Sequence, residues 1–365
     1  MKNQQFIPIY TPFVAKNQKK YVSECIDSNW ISSRGKYVER FEEEISDILG
    51  VKETISVFNG SVSLMLILRS LGIGHGDEVI TQSLTYAATV SSIINVGATP
   101  VLIDSTEDFQ MDISLIEGAI TKKTKAVMVA QLYGDSPNMK KLKKICKKNG
   151  IELIEDSAEC FASFEEEGAI GSFGIASSFS FFGNKVITTG EGGCVCTNDS
   201  ELARQMRMIK SQNHIGGFRH AGPGYNFRMT NIQAAIGVAQ LEHLYEILRA
   251  KRNIANFYRD NLDPSIKKVV PKIASSSEWM PLFVLPDTKN YLKFHTRMQE
   301  EAVDVRPCFP PIHGMKGFKT KKGSKLDTCV KIYPKAFNLP SGPGLTKKQL
   351  KRVVNTVNTI INEVD

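Results

Sequence analysis

The chain has 365 residues, 42% of them apolar and 23% charged, an ordinary globular balance with room for a large core and two domains. A formal net charge of +8 favours anionic partners. The excess lies in short patches, Lys140 to Lys148 and Lys319 to Lys322, which read as a solvated helix face and a surface loop, and no reading helix or aromatic-interleaved basic surface argues for nucleic acid. No run reaches the roughly 18 apolar residues of a membrane helix, and MKNQQFIPIY has no apolar leader core. Seven irregularly spaced cysteines form neither a secreted disulfide framework nor a paired zinc motif. The expectation is a cytoplasmic protein with buried thiols, no membrane contact and no metal site.

In chain order, residues 15 to 28 predict a helix and SNWISSRGKY a polar connection. Residues 38 to 49 predict an amphipathic helix with Phe41, Ile45, Ile48 and Leu49 on one side. Short apolar strands then alternate with helices. TISVF precedes NGSVSLMLILRSLG, DEVITQ precedes YAATVSSIINVG, and TPVLID precedes a short helix at 112 to 120. KAVMVAQ precedes MKKLKKICKKNG, and IELIED follows. ASSFSF and EGGCVCTN are two further strands flanking a loop that holds Lys185. This alternation predicts an α/β domain with a mainly parallel sheet covered on both faces. Residues 232 to 258 read as one long helix with Gly237 its weak point. Beyond it lie Pro-rich turns, the strand MPLFVL, a helix at 290 to 302, and a terminal helix at 347 to 361 capped by Thr346. The expected division is a large domain at 1 to 245 and a small one at 246 to 365.

Parallel sheets bind ligands beyond the carboxyl ends of their strands, and four groups fall there. Asn59, Gly60 and Ser61 follow ISVF and open a helix, where free backbone N–H groups can cradle a phosphate; Gly60 alone is equally a turn glycine. Tyr86 follows EVITQ and reads as either a stacking ring or core. Asp156 ends IELIED as either a site carboxylate or a cap. Lys185 stands in SFSFFGNKVITTGEGG, and a lone lysine there is more often a solvated turn residue. Together they make a pattern. Pyridoxal phosphate needs a primary amine, a carboxylate for its ring nitrogen, a phosphate cup and an aromatic face. Lys185, Asp156 29 residues upstream, Gly60 and Ser61 with Ser180, and Tyr86 supply those parts in turn.

In SNWISSRGKYVERFEEE, IEDSAECF, GSFGIASSFSFFGNKVITTGEGG, GYNFRMTNIQAAIGVAQLE and VRPCFPPIH, the chain resembles the DegT/DnrJ/EryC1/StrS sugar-nucleotide aminotransferases. The resemblance covers nearly the whole length. It implies an α/β, fold-type I PLP-dependent transferase (aspartate aminotransferase-like) with a smaller α+β C-terminal domain. By the same resemblance Lys185 matches the Schiff-base lysine and proton shuttle, and Asp156 the partner of the pyridine nitrogen. Gly60, Ser61 and Ser180 match phosphate ligands, and Tyr86 the stacking aromatic. Glu159 falls where many relatives carry His or Gln and the perosamine-forming branch carries Glu. Asn226 matches an asparagine that reaches the neighbouring subunit's phosphate, which implies a homodimer with shared sites, or a tetramer built from such dimers. Trp30, His220, Arg228, Arg306 and His313 are candidate substrate or cofactor contacts.

The implied reaction is ping-pong transfer from L-glutamate, through pyridoxamine phosphate, to C4 of a nucleotide-linked 4-keto-6-deoxyhexose. The branch resembled implies GDP-4-keto-6-deoxy-D-mannose as acceptor and GDP-perosamine as product. A UDP- or dTDP-linked 4-keto-6-deoxyglucose is the alternative acceptor. Family 3-dehydratases carry His at the lysine position, so Lys185 argues against that chemistry. A non-catalytic anion-binding or regulatory protein is the alternative of another class, motivated by the net charge alone. Two departures stand out. Ser61 replaces the usual Thr and keeps a hydroxyl. Ser276, in KIASSSEWMP, stands near a position where relatives tend to carry His, a change expected to bear on sugar or nucleotide recognition.

Overall fold

The computed structural model describes residues 5–286 and 289–363. Its first half alternates as the periodicity predicts: α1 (Gln18–Asp27), α2 (Lys36–Leu49), β1 (Glu53–Val57), α3 (Gly60–Ser70), β2 (Glu78–Gln82), α4 (Ala87–Asn95), β3 (Thr99–Ile103), the short α5 (Ile116–Ala119), β4 (Thr124–Ala130), α6 (Met139–Lys148) and β5 (Glu152–Asp156). A small hairpin, β6 (Phe164–Glu165) and β7 (Gly168–Ala169), leads to β8 (Ala176–Ser180) and β9 (Gly193–Thr197). Then come α7 (Ser200–Lys210), the hairpin β10 (His214–Gly216) and β11 (Arg219–His220), α8 (Asn231–Leu241) and α9 (Leu244–Asn261). The C-terminal part holds β12 (Lys267–Val269), β13 (Leu282–Val284), α10 (Tyr291–Glu300), β14 (Arg306–Pro307), β15 (Lys321–Lys322), α11 (Asp327–Ile332), β16 (Ala336–Asn338) and α12 (Lys347–Glu363).

The large sheet runs β1-β9-β8-β5-β4-β2-β3-β15. From β8 to β15 every neighbouring pair is parallel, while β9 lies antiparallel to both β1 and β8. Successive strand residues feed opposite faces. Val79, Met128 and Ile154 enter one apolar cluster, and Ile80, Val127 and Leu153 enter another. Both clusters are buried, so the strands carry continuous apolar runs instead of alternation.

Two elements differ from the sequence reading. Lys321 and Lys322, expected in a surface loop, add as a parallel edge strand beside Val101 and Leu102. Two residues carry no readable period, and lysines suit an edge because they discourage further pairing; Lys321 also pairs with Glu78 at 3.0 Å. The expected long helix is two helices, broken at Glu242 and His243. Glu242 is held there by Tyr21 at 2.7 Å and Arg40 at 2.5 Å. Gly237 is not the weak point, because a Cβ there would lie 2.4 Å from the Phe41 ring.

A second, antiparallel sheet runs β12-β13-β16-β14. Residues of α9, α10 and α12 cover it, with Tyr258, Phe294 and Val353 packing around Phe283 and Phe337. Ile7 joins the same core and pairs with Val303, so the N-terminal arm is seated on the C-terminal half. Thr346 caps α12, accepting from the Gln349 N–H at 3.3 Å while Gln349 accepts from the Thr346 N–H at 3.0 Å. All seven cysteines are buried free thiols. Among the described residues no helix is long and apolar enough to cross a membrane.

Candidate active site

A cavity of about 460 Å³ opens beyond the carboxyl ends of β1, β2, β4, β5 and β8. One corner is built at the start of α3. Asn59 caps that helix by accepting from the Val62 N–H at 3.0 Å, which leaves first-turn N–H groups without helical partners. Gly193 of β9 presses against this turn. A Cβ there would lie 2.6 Å from the Asn59 carbonyl carbon, so the second half of the Gly-rich stretch is required for backbone approach. Ser61 and Ser180 line the same corner.

The same cavity is lined by charged groups. Asp156, at the end of β5, accepts from the Thr89 hydroxyl at 2.7 Å, and Thr85 bonds Thr89 at 2.9 Å. Its bond from the Ala158 N–H is long, 3.4 Å, so its principal partner is a side chain, not a turn. Burial raises its pKa, while Thr89 and the Lys185 charge pull it back. Glu159 accepts from the Tyr133 N–H at 2.9 Å. Burial pushes its carboxyl up to about 7, against the opposing pull of Lys185.

Lys185 is not a solvated turn residue. Its side chain is 14% exposed, with Nζ 3.7 Å from Glu159 and 4.1 Å from the centre of the Trp279 ring. Its loop is pinched shut where Thr189 donates to the Phe181 carbonyl at 3.0 Å and Phe181 to the Gly192 carbonyl at 2.9 Å. Tyr86 precedes α4 and is 59% exposed, so it is not core; its ring lies 5.5 Å from that of Phe309.

Arg306 lines the same cavity. The other expected contacts do not reach it within one chain. His313 bonds Ser83 at 2.7 Å, and burial and Lys322 lower its pKa. Asn226 accepts from Arg228 Nε at 2.9 Å. His220 lies exposed on β11, bonded to the Gln212 carbonyl at 2.7 Å. Trp30 lines a second cavity with Arg34, Lys36 and Asn231. Ser276 also points elsewhere, donating to the Gly134 carbonyl at 2.8 Å. Trp279, Thr89 and Phe309 line the cavity and were missed in sequence, as was Tyr133, which stands behind it with its N–H on Glu159. Trp279 carried a faint signal, being one of only two tryptophans beside a flagged stretch. Tyr133 and Thr89 carried none.

The family model described as the DegT/DnrJ/EryC1/StrS aminotransferase family matches residues 12–358. The chain belongs to the DegT/DnrJ/EryC1/StrS aminotransferase family. It is 38% identical over 363 residues to a GDP-perosamine synthase of Escherichia coli O157:H7, covering 98% of this chain and 100% of that one. It is also 38% identical over 365 residues to a GDP-perosamine synthase of Vibrio cholerae, covering 98% and 99%. Among solved structures it superposes with TM-score 0.92 on Helicobacter pylori PseC, an aminotransferase involved in the biosynthesis of pseudoaminic acid. That match has 25% identity and covers 98% of this chain and 100% of the other. As a DegT/DnrJ/EryC1/StrS aminotransferase, the chain is a PLP-dependent enzyme of fold-type I. The cavity suits that cofactor. It offers one primary amine, a buried carboxylate with little hydrogen-bonding of its own, and a helix N-terminus with two flanking hydroxyls.

Proposed function

We propose that this aminotransferase moves the amino group of L-glutamate to C4 of GDP-4-keto-6-deoxy-D-mannose, giving GDP-perosamine. The observation that carries the chemistry is the Lys185 amine, enclosed 3.7 Å from Glu159 in the cavity that Asp156 also lines. What supports the acceptor is the full-length 38% identity to two GDP-perosamine synthases, together with a glutamate at position 159.

Bound pyridoxal phosphate supplies an electron sink that lets the C–H bond beside the transferred nitrogen ionise. The chain does the rest. Lys185 would tether the cofactor and, as a free amine, would carry a proton between the cofactor carbon bearing the nitrogen and the carbon of donor or sugar in each half of the reaction. Asp156 would keep the ring nitrogen protonated, and Thr89 holds that carboxylate by its hydroxyl. The first-turn N–H groups at Gly60 and Ser61, with the hydroxyls of Ser61 and Ser180, bind the phosphate. Tyr86, which lines the cavity, would cover a face of the ring. Glu159 stabilises the Lys185 ammonium between proton transfers. Asn226 and the substrate contacts Trp30, His220, Arg228 and His313 act across a homodimer interface, and Arg306 acts from within the cavity.

The test is an acceptor panel with isotopically labelled glutamate, read by mass spectrometry of the sugar product. Label is expected in the GDP sugar at a kcat/KM at least about tenfold above the UDP- and dTDP-linked 4-keto-6-deoxyglucose, a difference of about 1.4 kcal/mol in transition-state binding. A preference for either of those sugars overturns the assignment to GDP. No labelled sugar with any acceptor overturns the reaction.

A further inference from the structure

Asn184 and Lys185 lie between β8 and β9, outside the strand ladder, yet both of their carbonyls are held by side chains from distant parts of the chain. The Trp279 indole N–H donates to the Asn184 carbonyl at 2.7 Å. The Tyr10 hydroxyl donates to the Lys185 carbonyl at 2.8 Å. Tyr10 belongs to the N-terminal arm, and Trp279 to the segment before β13.

Both donors are anchored at one further point, Ser341. Its N–H donates to the Ile9 carbonyl at 2.9 Å, fixing the arm one residue before Tyr10. Its hydroxyl donates to the Trp279 carbonyl at 3.4 Å. Its own carbonyl accepts from Lys251 at 3.2 Å. The buried Lys251 ammonium lies 4.9 Å from the centre of the Tyr10 ring, a cation over an aromatic face. Trp279 acts twice, since its ring also lies 4.1 Å from the Lys185 ammonium.

We propose that Tyr10 and Trp279 are positioning residues for Lys185, clamping two consecutive carbonyls so that its amine stands where the cofactor must be met. The proposal rests on the reading that Lys185 carries the cofactor. A lysine has four rotatable bonds beyond Cα, so its reach is defined only if its backbone is rigid. A misplacement of about 1 Å can cost on the order of a hundredfold in rate, and reacting groups keep their geometry only when a supporting shell locks them. Here that shell comes from the arm and the C-terminal half, so the large sheet alone does not complete the site.

The experiment compares Tyr10→Phe with Tyr258→Phe in the full chain loaded with pyridoxal phosphate. Tyr258 is the control because its hydroxyl makes a similar bond, to the Pro340 carbonyl at 2.7 Å, and donates to neither carbonyl of the Lys185 loop. Two quantities are read per bound cofactor: the pH midpoint of the visible absorbance band, and the rate at which glutamate bleaches it. Tyr10→Phe is expected to move the midpoint by about half a pH unit or more and to slow bleaching about tenfold. Tyr258→Phe is expected to lower the melting temperature and leave both quantities at wild type. Unchanged midpoint and rate in Tyr10→Phe overturn the proposal. If Tyr10→Phe does not fold, Trp279→Phe carries the same test, with a shifted midpoint supporting the clamp and a wild-type one overturning it. Borohydride reduction of the wild-type protein, followed by peptide mapping, separates the two readings. A cofactor fixed on a lysine other than Lys185 overturns its role, and the clamp with it.

Discussion

Burial and charge oppose each other at Glu159, and burial wins. Its carboxyl, pushed up to about 7, lies well above the ordinary glutamate value, so the folded protein holds a proton there that the unfolded chain releases. The cost to stability is therefore small at acid pH, grows as pH rises from the ordinary glutamate range, and is fully present above about 7. Glu159→Gln removes that cost. The expected outcome is a cofactor-free variant that melts higher than wild type at pH 8, the gain fading towards pH 5, as followed by thermal unfolding across pH. For catalysis the proposed roles predict that Lys185→Ala loses both the visible band and turnover. Asp156→Asn is expected to keep the bound cofactor and lose roughly 10²- to 10³-fold in kcat, the scale seen when one preorganised electrostatic partner is deleted. Single-turnover absorbance measures both. At this scale Asp156 was visible in sequence because it ends an apolar strand, and Lys185 because it stands in a Gly-bearing loop between two of them. Tyr133 was not and Trp279 was so only faintly, because little in the local sequence marks a residue that arrives on a connecting segment.

Glycines and breaks decide matters at the level of elements. Propensity alone says that Gly237→Ala should stabilise α8 by up to about 1 kcal/mol. The Phe41 ring occupies that space, so the expected result is a loss of about 1–3 kcal/mol from overpacking, measured by chemical denaturation and partly relieved by adding Phe41→Leu. Gly193→Ala meets backbone instead of a side chain and cannot be accommodated by a rotamer change. It is expected to displace the start of α3 and weaken cofactor binding at least about tenfold, read by equilibrium dialysis. The alternation of strands and helices was legible because burial on both faces of the sheet writes long apolar runs. The edge strand at Lys321 and the break at Glu242 were not, because the first depends on which sheet edge stands free and the second on partners contributed by α1 and α2.

For the molecule as a whole, one chain leaves its site short of the contacts assigned to Asn226, Arg228, His220 and Trp30, all of which lie outside the cavity. The proposed homodimer makes a direct prediction. Lys185→Ala and Asn226→Ala subunits are each expected to be inactive alone. Reassorted at equal amounts, half of the dimers are mixed, and each mixed dimer has one intact site of two, so activity should return to about a quarter of wild type. No recovery would mean that Asn226 serves its own subunit's site. By itself, the sequence determined the α/β alternation, the strand that ends at Asp156 and the loop that holds Lys185, because apolar period and its interruptions are local properties of the chain. Only the tertiary structure decided that Lys185 is enclosed, that Glu159 shares its corner, and that Tyr10 and Trp279 hold its backbone. Those are consequences of which distant segments pack together, and burial, which sets the charge state of the site, exists only once they have.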